Sequence, residues 1–308
     1  MSLVVSVPDE TLLRALGPLP PGVDGVVWDL VSAPPVPRID LVVPTYLGDW
    51  KVRLPKVAAV RPALVQSQML GYDGVDAWLP DGVPYANAVG VHEASTAELA
   101  MGLILASLRG LDGFVRQAAR GEVPVPARGT SLADRRVLLL GVGGVGAAIA
   151  ARLAPFEVDL MRVARTARTD EAGIVHGLDE LRGLLPRAEV LILAVPLDAA
   201  TRGMVDREFL AALPDGALLV NVGRGPLVVT DDLVAATADG RIRAALDVTD
   251  PEPLPAGHAL LTCPHVLVVP HVGGNSTAML PRIAGLVRAQ LERLLRGEPP
   301  AHVVLPAH

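Results

Sequence analysis

The segment VLLLGVGGVGAAIAARLA, residues 137–154, constrains the fold of this 308-residue chain more than any other feature. It places an apolar strand directly before a glycine-rich turn and a helix rich in alanine and leucine. Gly141, Gly143 and Gly146 form the pattern GxGxxG, which permits a tight turn, the approach of a pyrophosphate to backbone amides, and close helix–strand packing. Because both flanking elements are present, the turn predicts a dinucleotide-binding site, with Gly144 and Val145 in the same loop.

Short apolar runs on both sides of this turn predict an α/β chain of two lobes, since 308 residues exceed the usual size of one core. Six strand-like runs with helical material between most of them predict a doubly wound parallel sheet: Val137–Leu140, Val158–Val163, Val190–Val195, Ala217–Val222, Ala244–Val248 and Val266–Val269. Shorter runs in the first third predict strands of a smaller α/β lobe: Leu3–Val7, Val26–Leu30, Leu41–Val43, Val57–Val60 and Ala63–Gln66.

Two long helical patterns flank the predicted nucleotide-binding lobe. Ser95 and Glu98 have capping-box spacing, and the apolar positions that follow predict one helix of about six turns, which Gly121 can end. A second helix is predicted from Thr277 to about Arg296 and is expected to return to the first lobe. We therefore expect a first domain of residues 1–97, completed by 278–308, and a dinucleotide-binding domain of residues 98–277.

Charge and cysteine content exclude several classes of partner. The net charge of −6 and the absence of Lys or Arg runs argue against a nucleic-acid or membrane-binding patch. The single cysteine, Cys263, makes neither an intrachain disulfide nor a thiolate metal cage, so no metal site is expected. The first residues lack a basic segment followed by a long apolar one, and we expect a cytoplasmic protein.

The end of the strand at 158–163 lacks a residue that dinucleotide sites usually have there. An Asp or Glu at this point accepts hydrogen bonds from the adenosine ribose and repels a 2′-phosphate, but here Ala164 occupies the position. Arg165, Thr166 and Arg168 follow and offer two guanidinium groups and a hydroxyl, which predicts preference for NADP. The alternative is a solvated basic loop in a protein that accepts either NADP or NAD.

Three later strands are followed by loops with polar side chains, at the sheet edge where ligands of parallel sheets bind. Arg224 lies between two glycines in NVGRGPLV, Glu252 between prolines in DVTDPEPLP, and His271 between a proline and a glycine pair in VVPHVGG. Each residue has an ordinary alternative, since Arg224 and Glu252 also suit solvated loops and His271 also suits a helix cap or core position. We expect the three to form one catalytic group.

The chain resembles the D-isomer-specific 2-hydroxyacid dehydrogenase family. The motifs LGYDGVD, NAVGVHEASTAELAMGLILA, GVGGVG, AVPLDAATRGMV, NVGRG, DVTDPEPLP and PHVGG occur in the family's order and cover nearly the whole chain. The missing strand-end acid and the following Arg-Thr resemble its NADP-using glyoxylate/hydroxypyruvate reductase branch. The resemblance implies two Rossmann-like lobes, with the nucleotide-binding domain inserted in a smaller flavodoxin-like substrate domain. It also implies a small 2-keto or 2-hydroxy acid substrate and a homodimer.

The resemblance also implies roles for individual residues. Arg224 would grip the substrate carboxylate and polarise its carbonyl, His271 would act as general acid and base, and Glu252 would fix the imidazole tautomer. Backbone amides at Leu70 and Gly71 would bind the substrate carboxylate. Asp247 would contact the nicotinamide carboxamide. Five further residues would line the cofactor: Thr96, Val195, Pro196, Thr201 and Val222. The alternative for all of these residues is ordinary packing at the ends of the strands. Two roles are possible for Tyr46, Trp50 and Met279: they shape the substrate pocket, or they take part in ordinary packing.

Related activities remain as alternatives. Formate dehydrogenases share the fold but pair the histidine with glutamine, so Glu252 argues against that activity. Phosphite dehydrogenases keep the Arg, Glu and His. A non-catalytic dinucleotide-sensing protein similar to transcriptional corepressors is the alternative from another class, although this chain has no long interaction tail. The sequence leaves open which side chain the keto acid carries.

Overall fold

The computed structural model describes residues 2–307, which divide into two compact units. The first unit comprises the chain up to His92 and again from Ser276, and the second comprises Glu93–Asn275. The sequence boundary at 97/98 falls inside a helix that begins at Glu93. A helix is rigid and belongs to one unit as a whole, so the boundary lies at its start, before the apolar pattern that suggested it.

The first unit begins with five strands that pair in parallel. They are β1 (Leu3–Val7), β2 (Val23–Val27), β3 (Leu41–Val42), β4 (Leu64–Gln66) and β5 (Tyr85–Ala86), with helices α1 (Glu10–Ala15) and α2 (Trp50–Arg53) between them. The strand predicted at Val57–Val60 is wrong, because Leu54–Ala59 forms a 3-10 helix with Pro55 in its first turn. Proline fixes φ and lacks an amide donor, which suits a helix start and not a strand ladder.

The second unit contains the six predicted strands, and its parallel sheet confirms the predicted α/β class. They are β6 (Arg136–Leu140), β7 (Asp159–Val163), β10 (Val190–Leu193), β11 (Leu218–Asn221), β12 (Arg243–Leu246) and β13 (Val266–Val268). The hairpin β8 (Arg168–Asp170) and β9 (Gly173–His176) extends the sheet, whose order is β13-β12-β11-β10-β6-β7-β9-β8. Leu138 and Leu140 pack into one core and Val137 and Leu139 into another, as expected for strands buried on both faces.

A glycine divides the long helix predicted to end at Gly121. Helix α3 (Glu93–Arg109) ends before Gly110, whose φ is +65°, and helix α4 (Leu111–Ala119) follows. The single helix was therefore a wrong prediction, because the apolar spacing continues across a residue that leaves the helical conformation. The predicted capping box is also wrong, since Ser95 lies inside α3.

The remaining helices of the second unit are α5 (Gly144–Leu153), α6 (Leu181–Leu184), α7 (Arg207–Ala211), α8 (Thr230–Thr237) and α9 (Ala259–Thr262). The chain then returns to the first unit with α10 (Met279–Leu295), close to the predicted helix from Thr277 to Arg296. Strand β14 (Val303–Leu305) adds antiparallel to β5 and gives the sheet order β14-β5-β4-β3-β1-β2. Among residues 2–307, no helix is both long and apolar enough to cross a membrane.

Candidate active site

The glycine-rich turn between β6 and α5 is shaped by close backbone packing. A Cβ atom on Gly146 would lie 2.0 Å from the carbonyl oxygen of Gly141, and a Cβ on Gly141 would lie 2.4 Å from that of Ala194. A Cβ on Gly143 would meet no atom within 4 Å. Two glycines are therefore needed by the protein itself, while Gly143 leaves open space beside the first turn of α5. Space at a helix N-terminus is what a pyrophosphate requires, so the turn fits a dinucleotide.

One arginine of the basic loop after β7 is paired with a carboxylate that was not predicted from the sequence. Arg165 Nη2 lies 3.0 Å from Asp198 Oδ2, and the Arg165 side chain is 79% exposed. Thr166 is exposed, and Arg168 lies on the exposed edge strand β8 with no carboxylate in ion-pair distance among residues 2–307. The pairing was not predictable from spacing, because Asp198 follows Arg165 by 33 residues.

The loop after β10 is held by hydrogen bonds within it. Thr201 Oγ1 donates to the carbonyl oxygen of Pro196 at 2.8 Å and accepts from the amide of Asp198 at 2.8 Å. Asp198 Oδ1 accepts from the amides of Ala200 and Thr201 at 2.9 and 3.0 Å. Thr201 thus fixes the turn, whereas its predicted place along the cofactor stays a prediction. Val195 follows the end of β10 and is half-buried.

Arg224 lies in a loop after β11 that Asn221 and Gly225 shape. Asn221 Oδ1 accepts from the amide of Gly223 at 3.0 Å, and its Nδ2 donates to the carbonyl oxygen of Arg224 at 2.9 Å. A Cβ on Gly225 would lie 1.9 Å from the carbonyl oxygen of Thr249, so this loop packs directly on the segment after β12. The role of Asn221, which is buried, was not predicted; its only signal in the sequence is a polar residue within the apolar run 217–222.

His271 and Glu252 form a close pair. The distance from His271 Nδ1 to Glu252 Oε1 is 2.5 Å, with both side chains partly exposed. The hydrogen bond to Glu252 raises the pKa of His271, against the opposing effect of burial. Burial alone would raise the pKa of Glu252, but the hydrogen bond and charge of His271, a backbone hydrogen bond from Thr249 and the charge of Arg224 together shift it downward. The pair therefore favours imidazolium and carboxylate, and it leaves Nε2 as the second proton-bearing atom.

Asp247 fixes the backbone that carries His271. Its carboxylate accepts from the amides of Val272 at 2.7 Å and Gly273 at 3.0 Å, and its carbonyl oxygen accepts from the His271 amide at 2.8 Å. Burial raises the pKa of Asp247, and the two amide hydrogen bonds oppose that rise. His271 has a φ of +50°, a left-handed conformation that is rare for residues other than glycine. Asp247 thus has a structural task, while its contact with a carboxamide stays a prediction.

The space beside the His271–Glu252 pair is a cavity of about 420 Å³ within the second unit. Asp247 and Thr249 contribute to its wall together with the pair, and the other lining residues are largely apolar: Pro253, Leu254, Leu261, Val268, Val269 and Pro270. Thr96 on α3 lies against the same loop, since a Cβ on Gly273 would be 3.3 Å from Thr96 Oγ1. Low polarity on one side of the pair strengthens its electrostatic interaction.

The predicted substrate residues Leu70 and Gly71 lie in the first unit. The carbonyl oxygen of Leu70 accepts from Asn87 Nδ2 at 2.8 Å, and the amides of Leu70 and Gly71 donate to no acceptor within residues 2–307. Tyr46 stacks on His92 with ring centroids 5.4 Å apart, and His92 Nε2 donates to the carbonyl oxygen of Gln68 at 2.6 Å. Trp50 and Met279 begin α2 and α10.

Comparisons with known proteins point to one family. The family model for the NAD-binding domain of D-isomer-specific 2-hydroxyacid dehydrogenases matches residues 101–273. A human glyoxylate reductase/hydroxypyruvate reductase is 34% identical over 67% of this chain and 65% of its own length. A glyoxylate reductase of Thermofilum pendens is 31% identical over 80% of this chain and 76% of its own. A related crystal structure is that of an NADPH-dependent glyoxylate/hydroxypyruvate reductase of Sinorhizobium meliloti in complex with NADP and malonate. It matches this chain with a TM-score of 0.79 and 30% sequence identity, and the match covers 99% of this chain and 97% of that chain.

Proposed function

This chain belongs to the D-isomer-specific 2-hydroxyacid dehydrogenase family, and on that premise we propose that it reduces small 2-keto acids of the glyoxylate/hydroxypyruvate type with NADPH. The observation that carries the proposal is the hydrogen bond between His271 and Glu252 at 2.5 Å, next to the loop of Arg224. The hydrogen bond to Glu252 raises the pKa of His271, so the imidazolium persists to higher pH than a free imidazole, and protonation of a carbonyl oxygen requires this form.

In this proposal each polar residue has one task. His271 donates the Nε2 proton to the keto oxygen and recovers it in the reverse direction, while Glu252 holds Nδ1–H and stabilises the imidazolium. Arg224 binds the substrate carboxylate and carbonyl through its planar fork, which fixes the orientation of the acid. The free amides of Leu70 and Gly71 are suited to bind a carboxylate, and we assign them that role.

The glycine-rich turn would hold the coenzyme. Its residues Gly141, Gly143, Gly144, Val145 and Gly146 would accommodate the pyrophosphate, with the open space at Gly143 as the supporting observation. Bound NADPH would supply the hydride. Arg165, Thr166 and Arg168 would receive the 2′-phosphate, in keeping with the NADP in the related structure from S. meliloti, and NAD remains a possible coenzyme. The remaining cofactor-lining residues in this proposal are Thr96, Val195, Pro196, Thr201, Val222 and Asp247.

The test is NADPH oxidation, followed by absorbance, with a panel of 2-keto acids that includes glyoxylate and hydroxypyruvate. We expect turnover with at least one of these two acids. Reduction of NADP by phosphite, with no turnover of keto acids, would instead indicate a phosphite dehydrogenase. Tight coenzyme binding without turnover of any acid in the panel would contradict the enzyme and favour a dinucleotide sensor.

We also propose that the chain forms a homodimer, as its family resemblance implies. The described surface of α4 and the segment after it exposes several large apolar side chains, namely Leu111, Val115, Val123 and Val125. Exposed apolar patches of this kind favour protein contacts. A cytoplasmic location stays a prediction.

A further inference from the structure

The pairing of Arg165 with Asp198 places a carboxylate where the proposed function requires an anion-binding guanidinium. Asp198 belongs to the loop after β10 and Arg165 to the loop after β7, and their side chains meet at 3.0 Å. A coenzyme 2′-phosphate that approaches Arg165 therefore encounters a site already engaged with a negative charge. A ribose hydroxyl is neutral, so the carboxylate of Asp198 does not oppose its binding.

Asp198 is held firmly in this position by its own loop. Its Oδ1 accepts from the amides of Ala200 and Thr201, and its amide donates to Thr201 Oγ1 at 2.8 Å. These contacts commit Oδ1 to the turn and leave Oδ2 for Arg165. The amides of Ala200 and Thr201 lower the pKa of Asp198, so its carboxylate is charged at neutral pH.

The other arginines of this region differ in their partners. Arg162 is almost fully buried and pairs with Asp170 at 2.8 Å, so it supports the hairpin β8–β9. Arg168 is exposed and has no carboxylate within ion-pair distance among residues 2–307, and its charge acts on Asp170 in the same strand. Arg165 differs from both, because its side chain is exposed enough to bind a ligand and is also paired with a carboxylate that its own loop holds in place. An exposed ion pair of this kind contributes little to folding stability, so its removal should leave the fold intact.

We propose that Asp198 is a specificity-determining residue, which lowers the affinity for NADP relative to NAD by competing with the 2′-phosphate for the guanidinium of Arg165. This inference rests on the proposed NADP site. The chain should then discriminate less between the two coenzymes than its basic loop alone suggests, since one of the two guanidinium groups is already partly neutralised by a carboxylate.

The test measures the dissociation constants of NADP and NAD by calorimetry, without substrate, in the variant Asp198→Asn. Asparagine keeps an oxygen for the amides of Ala200 and Thr201 but removes the charge that engages Arg165. We expect NADP to bind about three- to tenfold more tightly and NAD to change by less than about twofold, the range for one charge in a partly solvated site. The gain should shrink at about 0.5 M salt, because exposed charges are screened.

Two further variants complete the test. Asp215→Asn makes the same charge change at an exposed residue before β11, at the opposite end of the strands from Arg165, and should leave both constants unchanged. In an Arg165→Ala background, Asp198→Asn should give little or no gain for NADP. An equal gain with and without Arg165, or no gain in the single variant, would overturn the inference.

The single variant Arg165→Ala separates this inference from the proposed function. If it weakens NADP more than NAD while Asp198→Asn has no effect, the inference is wrong and the NADP site stands. If it weakens both coenzymes equally, Arg165 does not bind the 2′-phosphate, and the proposed coenzyme preference fails together with the inference. Turnover with NADPH and glyoxylate is measured independently and tests the enzyme activity itself.

Discussion

At the scale of single residues, Glu252 sets the proton affinity of His271. The hydrogen bond between them raises the pKa of His271, so the imidazolium persists to higher pH than a free imidazole. Reduction of a keto acid needs this protonated form, and its rate falls as the pH rises through the pKa of His271. Oxidation of the hydroxy acid needs the neutral form, and its rate rises over the same range.

Replacement of Glu252 by Gln should therefore shift both pH profiles to lower pH. The neutral amide no longer stabilises the imidazolium, so the pKa of His271 falls. We expect kcat/KM for reduction at neutral pH to drop by about 10- to 100-fold, the usual scale for a weakened general acid. The measurement is kcat/KM against pH in both directions.

A matched control exists in the same unit. His176 and Glu180 form a similar pair at 2.8 Å that has no role in the proposed reaction, so Glu180→Gln should leave both profiles in place. A shift of the Glu252→Gln profile to higher pH, or no shift, would contradict the assignment of Glu252.

The residues of the proposed reaction were identifiable from sequence because their loops carry strong local signals. Arg224 is flanked by glycines, and Glu252 and His271 follow strands next to prolines. The residues that position them were not, because their contacts join distant parts of the chain. Asp247 holds the loop of His271 through amides about 25 residues away, and no spacing rule indicates that its carboxylate serves the backbone.

At the scale of elements, two glycines of the glycine-rich turn have different tasks: the fold requires Gly146, and the proposed coenzyme requires Gly143. Gly143 has a φ of −72° and open space at its Cβ position, so alanine fits there without strain. Gly146 has the carbonyl oxygen of Gly141 2.0 Å from its Cβ position, so alanine forces the strand and helix apart.

We expect the variants Gly143→Ala and Gly146→Ala to differ in what they damage. Gly146→Ala should lower the free energy of unfolding by about 1–3 kcal/mol, the usual cost of overpacking. Gly143→Ala should change it by less than about 0.5 kcal/mol. It should nevertheless weaken coenzyme binding by about tenfold or more, because its methyl group occupies the space that the pyrophosphate needs.

Urea denaturation and coenzyme titration of both variants check this prediction. Unimpaired coenzyme binding by Gly143→Ala would show that the pyrophosphate does not lie at this turn. The interpretation of the fold would be contradicted if Gly146→Ala were as stable as the parent chain.

Elements with continuous apolar runs were predictable, and short or polar ones were not. Strands β6, β10 and β11 are buried on both faces, so each appears in the sequence as a continuous apolar run that predicts a strand. The hairpin β8–β9 was missed because β8 is RTD, three exposed residues with no apolar pattern to indicate a strand. The end of α3 was missed because Gly110 interrupts an apolar pattern that continues into α4.

At the scale of the whole molecule, the division into two units follows from sequence apart from its boundaries. The return of α10 to the first unit was predicted from its apolar face, and Ile283, Val287 and Leu291 are buried in that unit's core. The closing strand β14 was not predicted, because three partly buried residues that pair with the two-residue strand β5 leave no periodic signal.

The proposed dimer predicts a solution mass of twice 32.1 kDa. Val115 on α4 is 67% exposed, so Val115→Asp should leave the fold intact while it weakens an apolar subunit contact. We expect sedimentation equilibrium to show a shift of this variant toward 32.1 kDa. Ile174→Asp is the control at an apolar residue exposed to a similar extent, 66%, on β9. A parent chain that sediments as a monomer at micromolar concentration would contradict the dimer.

The central claim is that His271 supplies the proton in a hydride-transfer reaction. Its most direct test is the turnover of His271→Ala at saturating NADPH and keto acid, with NADPH affinity measured separately and His176→Ala as control. The account predicts a loss of turnover by about 100- to 10,000-fold with NADPH affinity nearly unchanged, and little loss in the control. Turnover of His271→Ala within about threefold of the parent chain would contradict the account.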